Sequence, residues 1–178
     1  MQVLFVCTGN ICRSPTAERL AVSLAAQQGF SGIGMSSAGT RAVIGRPMDP
    51  EAALVLEEMG GDASNFAARQ LRPRVAAEAD LIITMTRAHR ESVLELAPRK
   101  LNRTFTLAEA ATLVERWPVC TLDDLQGVRA QLRTDEAPDI PDPIGRSAEV
   151  FAAVGGQIAH HLPPILEVCH RSRVAGDG

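Results

Sequence analysis

The sequence predicts an α/β fold: a single three-layer domain in which a four-stranded, twisted parallel sheet carries helices on both faces, with a tight loop joining the first strand to the first helix. Three observations predict it. Short apolar runs alternate with amphipathic helical stretches along most of the chain, and such alternation implies parallel strands joined by right-handed crossovers. The first apolar run ends in a glycine-containing turn that passes at once into a helical pattern. The chain has 178 residues, 46% hydrophobic and 22% charged, enough for one core without disulfides, a metal or a partner.

Val3 to Val6 has the continuous apolar character of a strand buried on both faces. Thr8-Gly9-Asn10 turns the chain, Ser14 is placed to cap the next helix, and Pro15 suits its first turn. Ala17, Leu20, Ala21, Leu24 and Ala25 then recur on one face until Gly29. Met35 to Ala38 is the second strand, and Asp49-Pro50 opens a second helix with Ala52, Val55, Leu56 and Met59 inward and Gly60 at its end. Asp80 to Met85 is a third strand, Thr86 to Ala97 a helix bounded by Pro98, Arg103 to Thr106 a short fourth strand, and Leu107 to Val114 a helix. Residues 116–145, rich in Pro and Asp, form an ordered loop with a helical insert carried by Leu122, Leu125, Val128, Ala130 and Leu132. The last helix starts at Ser147 with Val150, Phe151, Val154, Ile158 and Leu162 inward, and Gly155-Gly156 and Pro163-Pro164 predict a kink or restart within it. Residues 1–170 constitute the domain, and residues 171–178 are a tail expected to fray.

A formal charge of -3 supplies no basic footprint for nucleic acid. No apolar run approaches the roughly 18 residues of a membrane span, and no leader pattern opens the chain, so a cytoplasmic protein is expected. The four cysteines, Cys7, Cys12, Cys120 and Cys169, are too few and too irregularly spaced for a disulfide framework. Cys7 and Cys12 lack the spacing and the nearby histidine of a zinc site. Neither metal nor cofactor is implied, and a monomer or weak homodimer is expected.

In an open parallel sheet, ligands sit beyond the carboxyl ends of the strands, which is where the loop from Cys7 to Ser14 lies. Backbone N–H groups there can converge on one concavity at a helix N-terminus, a cup for phosphate oxygens. The phosphate-binding set is Thr8, Gly9, Asn10, Ile11, Cys12, Arg13 and Ser14. Cys7 stands at the base, where these N–H groups and Arg13 stabilise a thiolate, the reactive form of the group. A thiolate attacks phosphorus without a separate base. Arg13 offers a planar two-pronged donor that lysine cannot reproduce. Transfer to sulfur then needs a proton for the leaving oxygen and a base for the water that cleaves the phosphocysteine, and one carboxylate can serve both steps. Asp142 of Asp142-Pro143 is one candidate; Asp49 of Asp49-Pro50 is its rival, although helix capping explains it, and Asp135 and Asp139 are weaker. His89, His160, His161 and His170 read as surface or satisfied core groups, and Cys120 and Cys169 as packing residues.

The continuous string Val6-Cys7-Thr8-Gly9-Asn10-Ile11-Cys12-Arg13-Ser14-Pro15-Thr16-Ala17-Glu18, with Ser37-Ala38-Gly39-Thr40 and Asp142-Pro143, resembles the low-molecular-weight protein tyrosine phosphatase family, and the resemblance spans most of the chain. It implies a phosphorylated protein as substrate, Cys7 as nucleophile, Arg13 as phosphate clamp and Asp142 as the acid. It also implies Ser14 as hydroxyl donor to the sulfur, Asn10 and Ser37 as supports of the loop, and Cys12 as the redox partner that traps an oxidised Cys7 in a reversible disulfide.

Departures from the pattern bear on specificity. Tyrosine-directed members usually follow Asp-Pro with aromatic residues, whereas this chain continues Ile144-Gly145-Arg146-Ser147 and contains no tyrosine. Arg41-Ala42-Val43-Ile44 likewise lacks a ring. Asp-Pro-x-Gly and Phe105-Thr106-Leu107 are similar to the branch containing protein arginine phosphatases, whereas Ile11 is similar to the tyrosine branch. Phe66 stands where many relatives place a histidine that ties into the loop. Phosphotyrosine is the expected substrate and phosphoarginine the alternative. Thiol-coupled arsenate reductases resemble the same loop but need further cysteines, and none lies between Cys12 and Cys120. A non-catalytic phosphoprotein-binding module is the remaining alternative.

Overall fold

The computed structural model describes residues 1–176. Its elements are β1 (Gln2–Cys7), α1 (Arg13–Gln27), β2 (Gly34–Gly39), α2 (Pro50–Glu58), α3 (Pro73–Glu78), β3 (Leu81–Thr84), α4 (Arg87–Leu96), β4 (Thr104–Thr106), α5 (Leu107–Arg116), α6 (Leu122–Val128) and α7 (Ala148–Gly176). The four strands form one parallel sheet in the order β2-β1-β3-β4. Because β2 lies on one side of β1 and β3 on the other, the chain leaves the carboxyl ends of β1 and β3 in opposite directions. That divergence opens the crevice in which such sheets bind ligands.

Alternation along β1 distributes its side chains between two cores. Val3, Phe5 and Cys7 join Leu81 and Ile83 beneath α1, α2, α5 and α7, while Leu4, Val6 and Ile82 face Ala76 of α3 and Val93 of α4. This is the three-layer arrangement expected. It also fixes Cys7 on the α1 side of the sheet, so that its sulfur points toward the helix that follows it.

Element boundaries agree with the sequence reading to within a residue or two, and the differences have local causes. Ser14 does not cap α1; the cap position is Cys12, with no side-chain hydrogen bond. The short helix α3, introduced by Pro73, and a 3-10 turn at Pro98–Arg103 were not anticipated. The last helix runs unbroken from Ala148 to Gly176. Gly155 serves packing there, since a Cβ would sit 2.4 Å from Val55 Cγ1 of α2. Leu162, Ile165 and Leu166 continue the buried stripe across Pro163 and Pro164, which compensates for the two absent N–H donors. Residues 171–176, expected to fray, are helical, and the rest of that expectation lies outside the described residues. No helix among the described residues is long and apolar enough to cross a membrane.

Candidate active site

The loop between β1 and α1 is held from below by side chains and from the side by backbone. Asn10 adopts φ 54°, a left-handed conformation that asparagine tolerates better than most residues, and is fully buried. Its Nδ2 donates to Ser14 Oγ (2.9 Å) and Ser37 Oγ (2.8 Å), and its Oδ1 accepts from the backbone N–H of Arg69 at 2.8 Å. Ser37 in turn donates to Glu18 at 2.6 Å. Thr40, Arg41 and Val43 donate backbone N–H groups to the carbonyls of Cys7, Thr8 and Gly9 at 2.9, 3.0 and 2.9 Å, and Asp49 N–H donates to Ile11 at 2.7 Å. These bonds turn the loop carbonyls outward, which frees the opposite faces of the peptides to present N–H groups inward.

Helix α1 reinforces this reading. α2, α4, α5 and α6 each have an N-terminal side-chain cap, from Asp49, Thr86, Thr106 and Thr121. α1 has none, so its first N–H groups stay available to an anion. The expected cap, Ser14, instead places its hydroxyl 3.0 Å from Cys7 Sγ. Cys7 is 2% exposed and belongs to the core beneath α1, with its sulfur against the Ser14 hydroxyl.

Arg13 is 4% exposed and reaches across the loop. Its Nη1 donates to Ile140 O at 3.1 Å and its Nη2 to Asp142 Oδ2 at 2.6 Å. Of the five N–H bonds of a guanidinium, three remain for a ligand. Ile140 N–H is itself anchored on Met85 O at the end of β3, 2.9 Å away. Asp142 Oδ1 accepts from Ile144 N–H at 3.3 Å. Thus Asp142, 129 positions from Arg13 in sequence, is brought over the loop while the rival carboxylates are engaged elsewhere. Asp49 accepts from Glu51 and Ala52 N–H at 3.0 and 3.4 Å, the capping role expected of it. Asp135 pairs with Arg133, and Asp139 accepts from Arg87 N–H at 2.9 Å.

Cys12 is buried, and its pKa is pushed well above the ordinary thiol range, first by burial and then by the proximity of Cys7 and Asp49. Cys7 and Cys12 are both free thiols. Cys120 is exposed rather than a packing residue, whereas Cys169 is buried in α7 near Asp80 and the N-terminal amine, at the opposite end of the strands. No cluster of three or more His, Cys, Asp or Glu side chains suited to a metal occurs among the described residues.

Three partners escaped the sequence reading. Arg69 supplies the N–H for Asn10, so a backbone group answers for the histidine absent at Phe66, whose ring lies 5.6 Å beneath the Arg19 guanidinium instead. Glu18 fixes Ser37. His89, read as a surface or satisfied core group, is buried with Nε2 2.8 Å from Thr8 Oγ1. Glu18 belongs to the motif string and was the one accessible signal; the other two depend on chain crossings that no local pattern encodes.

With this geometry in view, the family model for low molecular weight phosphotyrosine protein phosphatase matches residues 2–119. The low molecular weight protein-tyrosine-phosphatase Wzb of Escherichia coli strain K12 is 35% identical over 152 residues, 85% of this chain and 84% of that protein. Among solved structures, a low molecular weight protein tyrosine phosphatase from T. tengcongensis is 30% identical with a TM-score of 0.76, covering 94% of this chain and 98% of that one. A YwlE arginine phosphatase, solved as a cysteine-to-serine variant with its active-site serine phosphorylated, is 26% identical with a TM-score of 0.79, covering 98% of this chain and 99% of that one.

Proposed function

Because this chain belongs to the low molecular weight phosphotyrosine protein phosphatase family, we propose that it hydrolyses phosphotyrosine in protein substrates through a phosphocysteine formed at Cys7. The observation that carries the proposal is one loop that holds, at its two ends, a sulfur hydrogen-bonded to the Ser14 hydroxyl and a guanidinium hydrogen-bonded to Asp142, at a helix whose N-terminus has no side-chain cap. The phosphoryl dianion fills the cup and takes the free N–H bonds of Arg13. Cys7 Sγ attacks phosphorus, the P–O bond breaks, and its electron pair leaves on the tyrosyl oxygen, which takes a proton from Asp142. The dianion competes with Asp142 for the guanidinium, which frees the carboxyl group to face the leaving oxygen.

In the second half, Asp142 removes a proton from water as the water oxygen attacks phosphorus. The P–S bond breaks and its electron pair returns to sulfur, where the Ser14 hydroxyl and the loop N–H groups receive the charge. Cys12 offers protection in oxidising conditions. Peroxide converts Cys7 to a sulfenic acid, the Cys12 sulfur displaces water to form a disulfide, and thiols reverse it. Since Cys12 is held as the thiol, that closure needs its proton removed first.

Phosphoarginine is the second reading, supported by the rim. Val43, Ile44 and Ile144 are 45%, 66% and 46% exposed on the two segments flanking the loop, so the entrance is aliphatic where a ring-binding site would be aromatic. Peptides bearing phosphotyrosine, phosphoarginine or phosphoserine, offered to wild type and Cys7→Ser, test both. Cys7-dependent release from phosphotyrosine above the others is expected; preference for phosphoarginine would exchange the two readings, and release independent of Cys7 would overturn both. A cytoplasmic phosphoprotein substrate and a monomer or weak homodimer complete the proposal.

A further inference from the structure

His89 has no part in the chemistry above, yet both its ring nitrogens are engaged. It lies in the first turn of α4 and is 7% exposed. Nδ1 is 2.9 Å from Thr86 Oγ1 and Nε2 is 2.8 Å from Thr8 Oγ1. Thr8 immediately follows the proposed nucleophile. Its carbonyl accepts from Arg41 N–H at 3.0 Å, so the residue is gripped at two points, by backbone on one side and by the imidazole on the other. Packing of α4 and capping by Thr86 account for the first contact of the ring but give no reason for the second.

We propose that His89 is a positioning residue of the phosphate loop: by holding the Thr8 hydroxyl it fixes the Thr8 peptide, and with it the first N–H of the cup, relative to the sulfur. The inference rests on the reading of residues 7–14 as a phosphate cup. Hydrogen-bond directions support it. The His89 backbone N–H donates to Thr86 Oγ1 at 3.2 Å, so the Thr86 hydroxyl proton is free to go to Nδ1. Nε2–H then donates to Thr8 Oγ1, and the Thr8 hydroxyl proton remains free. The ring stays neutral in this role. Burial first, then the charge of Arg13, and more weakly Arg41, lower its pKa to about 4, against the opposing pull of Asp142 and Asp139. A cleft of about 480 Å³ lined by Thr8, Arg41, Gln70, His89, Ser92 and Glu95 opens beside the ring, so small molecules can reach its place from solvent.

The experiment measures inorganic phosphate binding by calorimetry, and turnover of a phosphotyrosine peptide, in wild type, His89→Ala, His89→Gln, Thr8→Val and the His89→Ala/Thr8→Val double variant. In His89→Ala, phosphate affinity and kcat/KM are each expected to fall about tenfold. Thr8→Val should match it, and the double variant should lose no more than either single one, as partners in one interaction do. His89→Gln, whose amide can still donate to Thr8, and millimolar imidazole added to His89→Ala should each restore part of the loss. A lower melting temperature with unchanged phosphate affinity, or additive losses in the double variant, would overturn the inference. Phosphate binding reads the loop whether or not the peptide is turned over. Wild type that binds phosphate but lacks Cys7-dependent turnover would therefore sink the functional reading alone, and wild type that binds no phosphate would sink both.

Discussion

The loop at residues 7–14 and the segment at residues 138–147 meet at the Arg13 guanidinium but are built in opposite ways. Asn10 and Ser14 are fully buried and Arg13 nearly so, each with directed hydrogen bonds. Asp142, by contrast, leaves 49% of its side chain exposed and is held by the Arg13 guanidinium and one long bond from Ile144 N–H. The difference fits the two tasks proposed for them. Groups that stabilise phosphoryl charge work best when fixed before substrate arrives, whereas a group that passes protons to a leaving oxygen and from a water must stay open to both.

Arg13 joins the two regions, so its replacement is expected to have the largest effect. Arg13→Lys keeps the charge but cannot bond Ile140 O, Asp142 and a phosphoryl group at once, and kcat/KM on a phosphotyrosine peptide should fall about 10³-fold. A loss below tenfold, with the fold intact by circular dichroism, would mean that the charge alone matters. Asp142→Asn separates the regions instead. Its kcat should drop about 10²-fold, with a smaller loss on p-nitrophenyl phosphate, whose leaving group needs less help from an acid. Inorganic phosphate should bind at least as tightly, because a carboxylate no longer competes for Arg13. Weaker phosphate binding in Asp142→Asn would place that residue among the rigid supports and erase the contrast.

The same contrast decides what the sequence disclosed. Cys7, Arg13 and Ser14 stand within eight consecutive positions at a strand end, so local pattern sufficed to place them, and alternation of strands and helices sufficed for the sheet. Ser14 does not take the cap role that local preference suggests; its hydroxyl lies 3.0 Å from the Cys7 sulfur, the partner to which the family resemblance, and not the cap rule, pointed. Asp142 was recognisable through its motif, while its geometry depends on the Ile140–Met85 bond across the chain. His89 and Arg69 were illegible for the same reason: one reaches the loop from α4 and the other from the irregular stretch between α2 and α3, crossings that no local pattern encodes.

His89 also makes the contrast measurable through pH. Its folded-state pKa, about 4, lies below the ordinary value of 6.5, so between these values the unfolded chain binds the extra proton. Stability then rises with pH across that window and is lost as pH falls through it. Allowing for solvent at the edge of the ring facing the cleft, the contribution is on the order of 1–2 kcal/mol. Urea unfolding of wild type and His89→Gln between pH 7 and pH 4 should show the wild-type midpoint falling more steeply. Parallel lines would mean that the imidazole is as free to ionise in the fold as out of it.

Two glycines provide the finest comparison, because one substitution can be made in each region. At Gly39 a Cβ would lie 2.4 Å from the carbonyl oxygen of Thr8, a backbone atom of the phosphate loop already bonded to Arg41 N–H. Gly39→Ala must therefore displace the rigid side of the site, at about 2–3 kcal/mol of stability, and phosphate affinity should fall with it. At Gly145 φ is +74° and nothing lies within 4 Å of the added carbon, so Gly145→Ala pays only for the left-handed backbone, about 1 kcal/mol. That strain falls three residues beyond Asp142, on the open side, where it can shift the carboxylate without touching the cup. Gly145→Ala should accordingly lower kcat a few-fold while leaving phosphate affinity where it was, and a parallel drop in both would show that the Asp-Pro segment and the loop move as one body.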